Sequence, residues 1–91
     1  MEDRVTSNEA DSQYELAAAS GTAIAAYRLE GDTIVFTHTE VPEEAEGQGM
    51  GSRLVRGALD DVRRRGLKVK PLCSFVAGYM ERHPETQGLM A

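Results

Sequence analysis

A glycine-rich string, Val41-Pro42-Glu43-Glu44-Ala45-Glu46-Gly47-Gln48-Gly49-Met50-Gly51-Ser52, carries the strongest chemical signal in the chain. It lies between a β-branched, aromatic-containing run at 33–39 and an amphipathic run at 53–65. A strand that feeds a glycine turn, which then opens a helix, is a device for holding phosphate. Glycine lets the backbone come close to the ligand, and the unpaired N–H groups of the first helical turn point at the anion, with the positive end of the helix dipole behind them. A P-loop does not fit, because Gly51 is followed by Ser52-Arg53 rather than by Lys and Ser/Thr. A dinucleotide fingerprint does not fit either, because its third glycine would fall on Ser52. Two other places carry reactive groups. His38 and Glu40 alternate onto one face of the strand before the string, and an imidazole titrates near neutrality, as a general base requires. Cys73 ends a later strand just before a helix N-terminus, a position that can lower a thiol pKa and raise its reactivity. Plainer roles are open to all three: a His bonded to a neighbour, a solvated strand-end carboxylate, and a small buried thiol.

The elements that must position these groups follow from periodicity and turn chemistry. Residues 1–12 are almost without apolar content and are expected to form a flexible tail, with at most a strand contact near Val5. Tyr14, Leu16 and Ala18 alternate as a half-buried strand does, although the alanine run is also compatible with helix. Ser20-Gly21 and Glu30-Gly31-Asp32 read as turns, so that 13–19, 22–29 and 33–41 form an antiparallel three-stranded meander. On the third strand the alternation predicts one face of Ile34, Phe36, His38 and Glu40 and another of Val35, Thr37, Thr39 and Val41. A helix opens at Gly51 or Ser52 and runs to about Arg65, its apolar stripe made of Met50, Leu54, Val55, Ala58, Leu59 and Val62. Asp60 and Arg64 stand four apart, as a surface ion pair would, and Gly66 closes the helix. Arg63-Arg64-Arg65 reads as a solvated last turn favoured by the dipole rather than as a binding patch. Residues 67–72 form a fourth strand, roughly parallel to the third after the helical crossover. A short helix follows, with Ser74 as cap and Phe75, Val76, Tyr79 and Met80 on its apolar side, and His83-Pro84 stops it. The chain from Glu85 is expected to fray, with 88–91 as a tail.

Size and composition bound the rest. Ninety-one residues suffice for one domain, and 41% hydrophobic content allows one modest core, mostly aliphatic because only five residues are Phe or Tyr and none is Trp. A formal net charge of −5 argues against nonspecific nucleic-acid binding and is more compatible with a cationic or amine-bearing partner. A single cysteine excludes an internal disulfide and a Cys-based zinc cluster, and no metal is expected. No apolar run approaches the roughly 20 residues that span a bilayer, and the acidic N-terminus is unlike a signal peptide, so a cytoplasmic protein without membrane contact is expected. A monomer or weak dimer is the default.

The glycine string resembles the acyl-CoA loop of the GNAT superfamily of N-acetyltransferases, whose signature runs V-x-P-E-x-R-G-x-G-I-G. Glu46 departs from the Gln or Arg that opens the core Q/R-x-x-G-x-G/A pattern. The segments F-T-H-T-E-V, E-G-Q-G-M-G, G-L-K-V-K-P-L-C and Y-M-E-R-H-P-E are similar to the small single-domain GNAT-like family named after N-acetyltransferase domain-containing protein 1, over roughly 14–87. Ser74 departs from the Pro usual after the Cys. The resemblance implies a truncated GNAT-like α/β (α+β) fold at 13–87. It implies acetyl-CoA seated between two splayed strands, its pantetheine arm along Thr39, Glu40 and Val41. The pyrophosphate would lie on the N–H groups of Gln48, Gly49, Met50, Gly51 and Ser52, and the second wall would run from Val69 to Cys73. It implies transfer of acetyl to a small-molecule amine or to the Lys or N-terminal amine of a peptide, with His38 and Glu40 near the base position. Cys73 would act as nucleophile or as proton donor to the leaving thiol. Tyr79 would sit at the general-acid position, unless Met80 takes that slot; packing in the core is its plainer role. A CoA-binding interaction module with little or no turnover is the alternative.

Overall fold

The computed structural model describes residues 4–18, 21–43 and 49–91. Strands β1 (Val5–Asn8), β2 (Gln13–Ala18), β3 (Gly21–Glu30), β4 (Thr33–Glu40) and β5 (Lys68–Pro71) form one sheet in sequence order. The first three pairings are antiparallel, and β4 pairs with β5 in parallel. Helix α1 (Met50–Arg64) makes the crossover between β4 and β5, and α2 (Ser74–Arg82) follows β5.

One face of the sheet is the core face. Tyr14, Leu16, Ala23, Ala25, Tyr27, Ile34, Phe36 and Val69 are buried there with the α1 stripe. Every member of that stripe, from Met50 to Val62, is at most 2% exposed, as its helical period requires. Val76, Tyr79 and Met80 of α2 belong to the same core, so both helices lie on one side of the sheet. α1 ends as its glycine predicts: Gly66 takes φ +72°, its N–H donates to Arg63 C=O, and Leu67 N–H donates to Val62 C=O, the paired bonds of a Schellman cap.

Four expectations are corrected. Residues 5–12 are not a tail: Val5–Asn8 pairs with β2, and a 3₁₀ turn at Glu9–Asp11 is held by Asn8, whose side chain accepts from Asp11 N–H. What docks β1 is Gly57 on α1, where a Cβ would lie 2.4 Å from Val5 Cγ2; the missing side chain lets strand and helix close. The C-terminus does not fray. A 3₁₀ segment, Pro84–Leu89, buries Thr86 and Leu89; the Thr86 hydroxyl donates to Met80 and His83 carbonyls, and Ala91 N–H donates to Val69 C=O at 2.9 Å. Arg64 pairs with Asp61 three residues back rather than with Asp60. Asp61 also receives Tyr14 Oη–H at 2.6 Å, which draws it toward the sheet.

The fourth correction bears on chemistry. On β3 the consecutive residues Ala26 and Tyr27 pair with His38 and Phe36, so Thr37 is an extra residue in β4. This bulge breaks the strict alternation. Ile34 and Phe36 face the core, but His38 and Glu40 pair with Ala26 and Ile24, on the opposite face, while Thr39 pairs with core-facing Ala25.

Candidate active site

β4 and β5 stay in register only from Thr33↔Lys68 to Phe36↔Pro71. Phe36 C=O then accepts both Leu72 N–H and Cys73 N–H, each at 3.0 Å. Beyond that forked bond, no backbone hydrogen bond joins the two walls among the described residues. A wedge opens, with Thr37 to Val41 on one side and Cys73 on the other. Among the described residues one side-chain hydrogen bond crosses it, between Thr39 Oγ1 and Cys73 Sγ at 3.2 Å, in which either atom can donate. Cys73 is half-buried against the core, and its C=O receives Ala77 N–H as α2 begins.

The first turn of α1 stands beside this wedge. Gly49 precedes the helix with φ +76°, a left-handed conformation that glycine adopts without penalty. The first intrahelical bond runs from Arg53 N–H to Gly49 C=O at 3.0 Å. The N–H groups of Met50, Gly51 and Ser52 therefore have no intrahelical acceptor. Among the described residues no side chain caps them, and the turn contains no acidic residue. Met50 and Gly51 are buried and Ser52 is half-buried, so these donors sit where an unmatched N–H is costly and an anion is favoured.

Gly51 serves a purpose the sequence did not disclose. A Cβ there would lie 2.6 Å from Cζ of Phe75, so the ring at the start of α2 lies against the start of α1. Phe75 is 38% exposed, and Leu72 beside it is 56% exposed. These are apolar groups at the mouth of the wedge, and only the large aromatic just after Cys73-Ser74 hinted at them in the sequence.

The other anticipated residues fall in three places. His38 Nε2 and Glu40 Oε2 are 2.8 Å apart and exposed, on the sheet face away from α1. They do not meet Cys73, which lies on the helix side. Val41 packs against the core just past β4. Tyr79 is turned into a groove of about 320 Å³ between α1 and the C-terminal segment, with Arg56, Asp60 and Arg63 among its lining. Its ring stacks on His83 at 3.9 Å, and burial foremost pushes its hydroxyl pKa up. No hydrogen bond joins Tyr79 to Cys73 or to His38 among the described residues, and Met80, at 1% exposure, is a core residue. Gln48 and Glu46 lie outside the described residues. The three arginines at 63–65 act as staples: Arg63 donates to Glu85 C=O, Arg64 pairs with Asp61, and Arg65 reaches Glu9, Asp61 and Tyr14.

A family model described as GCN5-related N-acetyl-transferase matches residues 13–89, nearly the whole described chain. The chain belongs to the GCN5-related N-acetyltransferase family. Among curated relatives, the Gallus gallus and Mus musculus proteins named Protein NATD1 are each 35% identical over 68 residues, which is 74% of this chain and 62% of theirs. The Homo sapiens protein of that name is equally similar, with 60% of its length matched. The chain thus spans about three fifths of the curated relatives it matches. A solution NMR structure of a GCN5-like protein from Staphylococcus aureus superposes with a TM-score of 0.74 at 23% identity, covering 100% of this chain and 91% of that one, so the fold is shared. Within this N-acetyltransferase fold, no group of three or more His, Cys, Asp or Glu side chains among the described residues is arranged to hold a metal. No helix among them is long and apolar enough to cross a membrane.

Proposed function

We propose that this chain transfers an acetyl group from acetyl-CoA to an amine. The observation that carries the proposal is the coincidence of the β4–β5 wedge with the partly buried first turn of α1, which no side chain among the described residues caps. A wedge in which β4 keeps β3 but has lost β5 as a partner suits an extended amide-bearing arm, which can bond to Thr39 and Val41 as an added strand would. The N–H groups of Gly49, Met50, Gly51 and Ser52 suit its diphosphate. Bound there, acetyl-CoA would supply the activated thioester.

The chain's own residues divide the remaining work. His38 donates Nε2–H to Glu40 in the tautomer that leaves Nδ1 free to take a proton, and the Glu40 carboxylate then stabilises the imidazolium. The acceptor nitrogen approaches from the His38 face and loses its proton there. It forms the new C–N bond at the carbonyl carbon as the C–S bond breaks. The departing sulfur leaves on the side of Cys73 and Thr39, where either Sγ–H or Oγ1–H can donate to it. Direct transfer is favoured over an acetyl-cysteine intermediate, because no base touches Cys73 among the described residues.

The orientation of Tyr79, the expected acid, favours a second reading: a module that binds coenzyme A without turnover. The two are separated by measuring acetyl-CoA binding through backbone amide shifts and, in parallel, thiol release with an amine panel. Transfer that falls about a hundredfold in His38→Ala while acetyl-CoA affinity is kept supports the enzyme. Amide shifts at Gly49 to Ser52 without transfer to any amine support the module. Shifts confined to β1 or the first hairpin would refute both.

A further inference from the structure

The sheet face opposite α1 carries no helix among the described residues, since α1, α2 and the C-terminal segment all join the core on the other side. Its residues fall in cross-strand rows set by the register. At the splayed end one row reads Thr6, Glu15, Ile24, Glu40, and the next reads Asn8, Gln13, Ala26, His38. Beyond the bulge the rows become Arg28, Val35, Lys70 and then Glu30, Thr33, Lys68. The end that holds His38 therefore presents two carboxylates and no strand cation. The far end presents three cations, with Glu30 already paired to Arg28 at 2.7 Å.

We infer that the His38 end of this face, where Glu15, Ile24, Ala26, His38 and Glu40 are all at least partly exposed while Val35 at the far end is buried, is the docking surface of the amine acceptor, and that it selects an aliphatic amine bearing a second ammonium group, a diamine or polyamine. The inference rests on the acetyltransferase reading for the identity of the site and adds the class of acceptor. Charge complementarity is what commits the face to this occupant. Glu15 and Glu40 stand two strands apart, about 10 Å, because neighbouring strands lie about 4.8 Å apart. Between them lies half-buried Ile24, with half-buried Ala26 beside it in the next row, an apolar floor for a run of methylenes. Glu40, joined to His38, marks the end where the reacting nitrogen must lose its proton. Glu15 marks the other end. One of its oxygens accepts from both Asn8 Nδ2 at 2.9 Å and Gln13 Nε2 at 2.6 Å, which fixes the carboxylate and leaves its second oxygen without a hydrogen bond among the described residues. Those two amides hold its pKa below the usual carboxylate range, so it stays anionic. The extent of the acidic zone decides between a small dication and a basic peptide. Only one row is acidic, the one that holds both Glu15 and Glu40, and a long cationic chain continuing along the strands would meet Arg28, Lys70 and Lys68.

The test is an amide-shift titration of the full chain without coenzyme, so that its outcome stands apart from the acetyl-CoA titration that probes the parent reading. The probes are spermidine and 1,4-diaminobutane, against butylamine and Nα-acetyl-lysinamide as single-charge controls. The dications are expected to shift Glu15, Ile24, Ala26, His38 and Glu40 and to bind about fivefold more tightly than the monocations, as one added exposed ion pair allows. Glu15→Gln is expected to remove that preference, and Glu40→Gln to reduce it from the other end. Glu30→Gln, which changes net charge equally, is expected to leave it intact. Equal binding of mono- and dications, equal losses in Glu15→Gln and Glu30→Gln, or shifts centred on Arg28 and Lys70 would each overturn the inference.

Discussion

Replacing Gly51 by alanine tests whether the two helix starts are in contact. The new Cβ would lie 2.6 Å from Phe75 Cζ and 3.2 Å from both Cε atoms. Carbon atoms in ordinary contact sit about 3.5–4.0 Å apart, so the ring must retreat by roughly 1 Å. The backbone of Gly51 is not left-handed, and alanine is the better helix former by about 0.8–1.0 kcal/mol. Two effects of opposite sign therefore compete. Phe75 is 38% exposed and can swing outward, giving up part of the burial that an aromatic side chain provides. Overpacking of this kind costs about 1–3 kcal/mol, so the net change in the wild-type background is about 1 kcal/mol of destabilisation. In a Phe75→Ala background the clash is gone and only propensity remains, so the same substitution should stabilise by about 0.5–1 kcal/mol. The assay is thermal unfolding of the four members of the double-mutant cycle. A domain of this size shifts its Tm by about 4–8 °C per kcal/mol, so both signs are measurable. Acetyl-CoA affinity should fall in Gly51→Ala, because the displaced ring moves across the first turn of α1. If Gly51→Ala has the same effect in both backgrounds, within the about 0.3–0.5 kcal/mol expected of independent sites, then Phe75 does not touch Gly51 and the packed entrance to the wedge is wrong.

Three further outcomes are expected. Gly57→Ala should destabilise by about 1–3 kcal/mol because its Cβ would fall on Val5, and Val5→Ala should recover part of that loss in thermal melts; an additive pair would argue against β1 docking on α1. Asp61 gains stability on the alkaline side of its titration: burial works against its charge, but hydrogen bonds from Tyr14, Arg64 and Arg65 outweigh this and hold its pKa below the usual value. That contribution is present above the unfolded pKa of about 3.9 and is lost as pH falls through the lower folded value, so Asp61→Asn should flatten the stability profile below about pH 4 and leave its slope near pH 7 unchanged. Thr39→Val removes the one hydrogen-bond partner of the Cys73 thiol among the described residues; acetyl transfer should fall about tenfold with coenzyme affinity nearly unchanged, and unchanged turnover would remove this pair from the proton path.

The sequence disclosed the parts of this fold that depend on local pattern. The α1 stripe is a 3.6-residue repeat, Gly66 is a left-handed terminator, and the glycine string before α1 signalled an open helix start; each is written in a few adjacent residues. What escaped depends on partners distant in the chain. Val5–Asn8 looked like a tail because its own residues are polar, yet its place is set by the missing side chain of Gly57. The last segment looked frayed because its burial rests on Thr86 bonding to carbonyls of α2 and on Ala91 bonding to Val69. Gly51 read as a residue that admits phosphate, and its close neighbour turned out to be Phe75.

The extra residue at Thr37 shows how much one such non-local detail decides. Without the bulge, strict alternation would send His38 and Glu40 to the side of Ile34 and Phe36, into the layer filled by α1, where an exposed base could not exist. With it, Thr39 meets Cys73 on the helix side while His38 and Glu40 reach the opposite face. The same irregularity falls where β4 and β5 lose their register, since Phe36 is the last residue of β4 paired with β5 and its carbonyl takes the final two N–H groups from the far wall. A bulge strengthens local twist and ends regular pairing, so one inserted residue accounts for both the opening of the wedge and the assignment of its two faces. In the proposed reaction coenzyme and acceptor would reach the reacting carbon from different sides, and a strand that changes which face it presents, at the point where it parts from its neighbour, would give each of them its own wall.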